Sequence, residues 1–254
     1  MSSKNTLKSE GGATKERASK MANVTTQPGW FKASIELSKK LIRELMPVRG
    51  ENPLPIYSDS LVKTVRGLPY FDEWRTYVNG SHYDVQLGDG GLFQFKHQPR
   101  DKTILSYAFF ECPLVGMITY EEFIKEYFGA DPDAGGDDVD ASDEYETFLD
   151  QCERRPHVTP LRYDYSPDLY REGVHPAAHI HFGYGSEIRV SCKKQMCPLS
   201  FALFVIRQMY PEIWEKKFHL RGDASILVRQ VRDELDSVDA KMFRGKDYWE
   251  ISLD

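Results

Sequence analysis

The period of apolar and polar positions changes along this chain, and each change marks an element. Between residues 30 and 46, Phe31, Ile35, Leu41, Ile42 and Leu45 recur at helical spacing, which predicts an amphipathic helix ended by Pro47. Residues 83–87, 92–97 and 103–112 are short aromatic or β-branched runs. Turn-forming residues 88–91 and 98–101 separate them, which predicts an antiparallel meander. Residues 120–128 return to helix, with Thr119 as N-cap and Glu121 and Glu122 in the first turn.

From residue 161 the alternation becomes strict. Leu161, Tyr163 and Tyr165 alternate with Arg162 and Asp164. Ala178, Ile180 and Phe182 alternate with His179 and His181, and Ile188 and Val190 with Glu187, Arg189 and Ser191. Alternate side chains of a strand share a face, so three strands gather one polar face of Arg162, Asp164, His179, His181, Glu187 and Arg189. On one strand the two imidazoles stand about 7 Å apart by rise per residue. His175, just before Pro176, sits where the chain enters its strand. A three-residue loop over 183–185 pairs His181 with Glu187, Ile180 with Ile188 and His179 with Arg189, whereas a one-residue slip sends the apolar sets to opposite faces.

Beyond the hairpin, Pro198 suits a first helical turn, and residues 199–209 are apolar nearly throughout except Arg207. That predicts a helix buried against the sheet. Residues 211–218 read as a short helix and 223–238 as a longer one. Residues 241–253 read as a closing edge strand through Tyr248, Trp249 and Ile251. Hairpin-linked strands with helices before and after predict an α+β fold: a single domain, an antiparallel sheet with helices packed mainly on one face, the other left for the polar cluster. Residues 1–28 are polar and predict a disordered tail, 29–254 a single α+β domain with an acidic loop at 131–147.

Composition narrows the class without naming a chemistry. Hydrophobic content of 41% and charged content of 28% suit a globular protein. No apolar run approaches the ~20 residues of a membrane span, and no signal-peptide core follows Met1, so no membrane partner is expected. The four cysteines lack CxxC spacing, which suits free thiols and a cytoplasmic protein. Residues 131–150 carry nine acidic and no basic side chains, in a pattern without the ligand spacing and closing Glu of an EF-hand. Taking nine negative charges from a net of −6 leaves +3 for the rest, so the total does not exclude a basic groove for phosphates. Walker, Rossmann, HExxH and GxSxG signatures are absent.

The block HPAAHIHFGYGSEIRV, with the apolar helix and Tyr210-Pro211 after it, resembles an uncharacterised bacterial family of unknown-function proteins. In that family an Arg-x-Asp strand, a His-Pro-x-x-His-x-His segment and a following Arg recur. These correspond here to Arg162, Asp164, His175, Pro176, His179, His181 and Arg189. The resemblance covers the C-terminal half closely and the N-terminal half loosely. It implies a bacterial cytoplasmic protein whose site is this cluster, and it brings no established activity.

Three chemistries fit the candidate residues His179, His181, Arg162, Asp164, Arg189 and His175. In the first, no cofactor is needed. The histidines act as general acid and base, Asp164 orients one of them, and the arginines stabilise charge on a phosphoryl oxygen, as in phosphoester, nucleotide or nucleic-acid hydrolysis. In the second, His179, His181 and Asp164 (or His175) hold a divalent metal with an open position for water; Arg189 counts against this, since a guanidinium is repelled by a dication. In the third, the face is a hydrogen-bonded polar network that anchors loops or a protein partner.

Overall fold

The computed structural model describes residues 29–98, 104–129, 140–185, 188–219, 223–249 and 252–253. The expected tail over 1–28 and residues 131–139 of the acidic stretch lie outside them. Eight strands follow one another in chain order across a sheet: β1 (Val48–Glu51), β2 (Val85–Leu87), β3 (Leu92–Gln98), β4 (Ile104–Phe110), β5 (Leu161–Tyr165), β6 (Ala178–Phe182), β7 (Ile188–Cys192) and β8 (Ser252–Leu253). The α-helices among the described residues are α1 (Trp30–Leu45), α2 (Asp59–Val65), α3 (Tyr70–Asn79), α4 (Tyr120–Phe123), α5 (Ser142–Gln151), α6 (Pro198–Met209), α7 (Pro211–Trp214) and α8 (Asp223–Glu234); α4 and α7 run on as π-helical turns over Ile124–Phe128 and Glu215–His219. The expected α+β class holds. β1–β2, β2–β3, β5–β6 and β6–β7 are antiparallel, while β8 lies parallel to β7.

The chain falls into two compact units. The first comprises Met1–Pro47, Phe95–Ala108 and Leu161–Asp254. One face of its sheet carries Phe95, Tyr107 and Tyr163, all buried, and α6 lays Phe201 against them. The Tyr107 ring lies 5.4 Å from Tyr163 and 5.8 Å from Phe201, so large rings fill this layer. Helix α1 backs α6 with an unexpected stripe. Ser34 and Ser38 are buried in place of apolar residues, and each is satisfied: Ser38 Oγ donates to the Ser34 carbonyl (2.7 Å), and Ser34 Oγ accepts from Leu199 N–H in the first turn of α6 (3.3 Å).

The second unit comprises Val48–Gln94 and Phe109–Pro160. Its core gathers Trp74 and Phe71 from α3, Leu92, Cys112, Leu114 and Leu149. Trp74 Nε1 donates to the Gly90 carbonyl at 3.0 Å. Gly90 has φ +85°, and a Cβ there would meet Cys112 Sγ at 2.8 Å, so the turn into β3 requires glycine. Residues 70–79 are fully helical. α4 opens with the expected Thr119 cap, which forms a reciprocal box: Glu122 N–H donates to Thr119 Oγ1 (2.9 Å) and Thr119 N–H to Glu122 Oε2 (2.7 Å). Thr119→Ala is expected to cost about 1 kcal/mol in urea unfolding. An unchanged midpoint would show that this box contributes nothing.

Three expectations are corrected. Residues 142–147 are helical, not loop, since α5 begins at Ser142. Residues 240–249 are two 3-10 turns, Ala240–Met242 and Gly245–Trp249, and extended pairing is confined to Ser252–Leu253. Acidic side chains fold that segment: Asp239 accepts from Lys241 N–H (2.8 Å) and Asp247 from Arg244 N–H (2.8 Å), competing with a ladder. The hairpin register differs too. His181 pairs with Arg189, His179 with Ser191, Ile180 with Val190 and Phe182 with Ile188. This is a two-residue shift from the expected pairing. A two-residue shift leaves every side chain on its original face, so hydrophobic alternation cannot detect it.

Candidate metal centre

The register sets two rows of side chains on the sheet face opposite Tyr163 and Ile180. Arg162, His181 and Arg189 stand side by side on β5, β6 and β7, and Asp164, His179 and Ser191 form the next row. Ser106 on β4 donates to Asp164 Oδ1 at 2.8 Å. Of the six residues expected on this face, Arg162, Asp164, His179, His181 and Arg189 share it, and Glu187 lies outside the described residues. His175 reaches it from the preceding loop, its ring 4.9 Å from that of His179.

The face left free of helices is largely covered. His179 and His181 are 1% and 2% exposed. The segment around the second 3-10 turn passes close by, and Ser191 Oγ donates to the Asp247 backbone carbonyl at 3.3 Å. Asp247 is itself buried and accepts from Tyr170 OH (2.8 Å), Gly173 N–H (3.0 Å) and Arg244 N–H (2.8 Å), tying the loop before β6 to the C-terminal turns. Asp164 is only partly covered, with its side chain 20% exposed, and Arg162 outside it is 44% exposed.

The two imidazoles lean together rather than standing apart. Their ring centroids are 4.6 Å apart and His179 Nε2 lies 2.9 Å from His181 Nε2. His181 Nε2 is also 3.4 Å from Asp164 Oδ2. His179 Nδ1 lies 3.0 Å from the Pro176 carbonyl, which only accepts, so Nδ1 carries the hydrogen and Nε2 of the neutral ring presents its lone pair to the cluster. Asp164 Oδ2, His179 Nε2 and His181 Nε2 form the one such group among the described residues whose donor atoms all lie within 4.8 Å of one another.

The electrostatics keep Asp164 ionised and His179 neutral, the forms in which each can act as a ligand. Burial pushes the Asp164 carboxyl upward, but His181, Arg162 (2.8 Å) and Ser106 outweigh it and hold the group well below the usual carboxylate range. Burial first, and the facing His181 second, push His179 down to about 4 against the opposing pull of Asp164. His179 is therefore neutral near pH 7. His175 is lowered as well, by burial, then by Arg189 and Arg171, and its Nδ1 is buried without a partner among the described residues.

Ligand bonds of 2.0–2.2 Å at the tetrahedral angle put donor atoms about 3.3–3.5 Å apart. The His181–Asp164 separation already matches, and the two imidazoles need to part by about 0.4 Å. The His179 Nδ1–H to carbonyl bond is the outer support that orients a ligating imidazole. The metal-free pairing fits less well, because both His179 nitrogens are engaged, one by Pro176 and one by His181.

Ser106, the Pro176 carbonyl, Arg171 and Asp247 are absent from the sequence reading. Ser106 had a signal, as the polar position between Leu105 and Tyr107 in an apolar run. A backbone carbonyl has none. Arg171 is bonded to His175 through the backbone of a loop (Arg171 N–H to His175 O 2.9 Å, His175 N–H to Arg171 O 2.8 Å), where no period marks it. Asp247 falls in the segment 241–253, whose aromatic and apolar residues predict a strand.

A family model described as an uncharacterized conserved protein (DUF2290) matches residues 50–244, and the chain belongs to that family. The match spans every residue of the cluster and extends beyond the C-terminal half on which the resemblance rested. No curated protein and no solved structure matches.

Proposed function

We propose that this member of the family is a hydrolase that holds a divalent transition-metal ion on Asp164, His179 and His181 and acts on a phosphoester. One observation carries the reading: a carboxylate oxygen and two imidazole nitrogens converge within 4.8 Å, with His179 fixed neutral and its lone pair turned inward. Three protein ligands leave a position for water, and a bound ion of this class brings the pKa of that water to about 7. Arg162 and Arg189 flank His181 in one row, and guanidiniums match phosphoryl oxygens bidentately. Nucleotides or nucleic acid are the substrate class this charge favours. No helix among the described residues is long and apolar enough to cross a membrane, and the four cysteines are unpaired, which suits a reducing cytoplasm.

A metal-free reading has one observation in its favour: Arg162 Nε sits 2.8 Å from Asp164 Oδ2, the oxygen that faces His181, and a dication there must compete with it. The test is elemental analysis of purified protein beside hydrolysis of bis-p-nitrophenyl phosphate and single-stranded oligonucleotide, for wild type and His181→Ala. Stoichiometric zinc, manganese or nickel, lost together with turnover in the variant, is the expected result. Variant-sensitive turnover without metal transfers the chemistry to the imidazoles and arginines. Neither metal nor turnover returns the cluster to a structural or partner-binding role.

A further inference from the structure

In the second compact unit, the π-helical turn after α4 presents aromatic side chains to solvent. A turn closed by i→i+5 hydrogen bonds sets both the fourth and the fifth following side chain beside a ring. The Phe123 ring accordingly has Tyr127 at 4.7 Å and Phe128 at 5.9 Å. Phe123 is buried, whereas Tyr127 and Phe128 are 58% and 45% exposed, more than packing in the unit requires. Between this turn and α5 lies an open cavity of about 420 Å³. Phe123, Tyr127 and Phe148 form its aromatic side, with Phe148 5.2 Å from Phe123 and 5.8 Å from Tyr127. Asp143, Glu144 and Gln151 line it from α5. Glu144 and Gln151 are two helical turns apart, so the cavity follows the helix as a groove for about 10 Å.

Elsewhere α5 already holds an arginine with a ring and carboxylates. Arg75 lies over the Phe71 ring at 5.0 Å, with Nη1 2.9 Å from Asp150 Oδ1 and 3.7 Å from Glu146 Oε2. In the groove the rings and carboxylates recur without the cation, since Asp143 and Glu144 have no basic partner among the described residues. Their place in the first turn of α5 complements the helix dipole, which explains two acidic residues but not the exposed rings beside them. Residues 130–139, which join the two walls, include four aspartates and no basic side chain, and Lys125 of the π-helical turn does not line the cavity. Neither supplies the cation.

We infer that this groove docks a partner protein through an arginine on an extended segment, its guanidinium held by the Tyr127 and Phe148 rings and by the carboxylates of Asp143 and Glu144. A planar guanidinium stacks on an aromatic face while donating to a carboxylate, which the ammonium of lysine does less well. An open groove two turns long suits a peptide main chain rather than an enclosed small molecule. The docking site is independent of the metal reading, because Asp164, His179 and His181 belong to the other compact unit.

The experiment titrates isotope-labelled full-length protein with acetyl-Gly-Leu-Arg-Leu-Gly-amide and with the same peptide carrying neutral citrulline in place of arginine, and follows the amide chemical shifts. The arginine peptide is expected to shift amides of residues 123–128 and 142–151, and the citrulline peptide to bind about fivefold more weakly, the loss of an exposed ion pair. Tyr127→Ala and Glu144→Gln each weaken the arginine peptide by about fivefold. Glu126→Gln, which removes an exposed carboxylate of the same turn that does not line the cavity, matches wild type. No shifts, shifts confined to other residues, or equal binding of the citrulline peptide overturns the site. Equal weakening by Glu126→Gln reduces the effect to net charge and overturns it as well. Methylguanidinium binding as tightly as the peptide makes this a small-cation site and overturns peptide docking. Broadening of the same amides with protein concentration alone identifies a second copy as the occupant and overturns a separate partner.

Discussion

Asp247→Ala is expected to destabilise the protein by about 3–5 kcal/mol, the loss that follows when a buried charged acceptor is removed from its donors. The carboxylate is 1% exposed and accepts from three donors on two segments: Tyr170 OH, Gly173 N–H and Arg244 N–H. Alanine leaves all three facing a cavity. Asp247→Asn keeps one carbonyl oxygen but turns an amino group toward donors, so its loss falls between wild type and alanine. Urea unfolding at pH 7 measures both. The same substitution reaches the cluster, because the loop that Asp247 ties down runs on into His175 and Pro176, and the Pro176 carbonyl holds the His179 tautomer. Metal uptake is therefore expected to weaken in Asp247→Asn even at temperatures where it stays folded. An alanine variant as stable as wild type would remove Asp247 from this account.

Acid is expected to destabilise the chelator-treated protein steeply between about pH 6.5 and pH 4. His179 titrates near its ordinary 6.5 in the unfolded chain and at about 4 when folded. Across that window the unfolded state binds the extra proton, so stability falls as pH falls. A separation of this size is on the order of 3 kcal/mol. His175, also lowered, contributes with the same sign. Asp164 acts lower down: its stabilisation is present above the ordinary carboxylate range, about 3.9, and is lost as pH falls toward its depressed folded value. Urea midpoints at pH 7, 6, 5 and 4.5 test the slope, with His179→Gln as the variant expected to flatten it. A wild-type profile as flat as that of the variant would show that the imidazole is not held neutral by the fold.

Much of the site is legible in the residue order. Alternation over Leu161–Tyr165, Ala178–Phe182 and Ile188–Cys192 placed Arg162, Asp164, His179, His181 and Arg189 on one face, and the strands obey it. The same reasoning put residues 199–209 against the sheet, where Phe201 meets Tyr107 and Tyr163. What failed is what period cannot carry. The hairpin register moved by two residues because that shift conserves both faces. The C-terminal strand gave way to turns because Asp239 and Asp247 take the backbone N–H groups a ladder would use.

The residue order by itself determined the class of fold, the strands that carry the cluster, and the set of ligands that share a face, since each follows from local period and residue type. The tertiary structure alone decided that the face is covered, that two imidazoles expected about 7 Å apart bring their Nε2 atoms to 2.9 Å, and that Arg162 rather than Arg189 engages Asp164. It also brought in Ser106, Arg171 and Asp247, from positions 106 to 247 of the chain. Side-chain direction, burial and proton position depend on neighbours distant in sequence, and no local pattern encodes them.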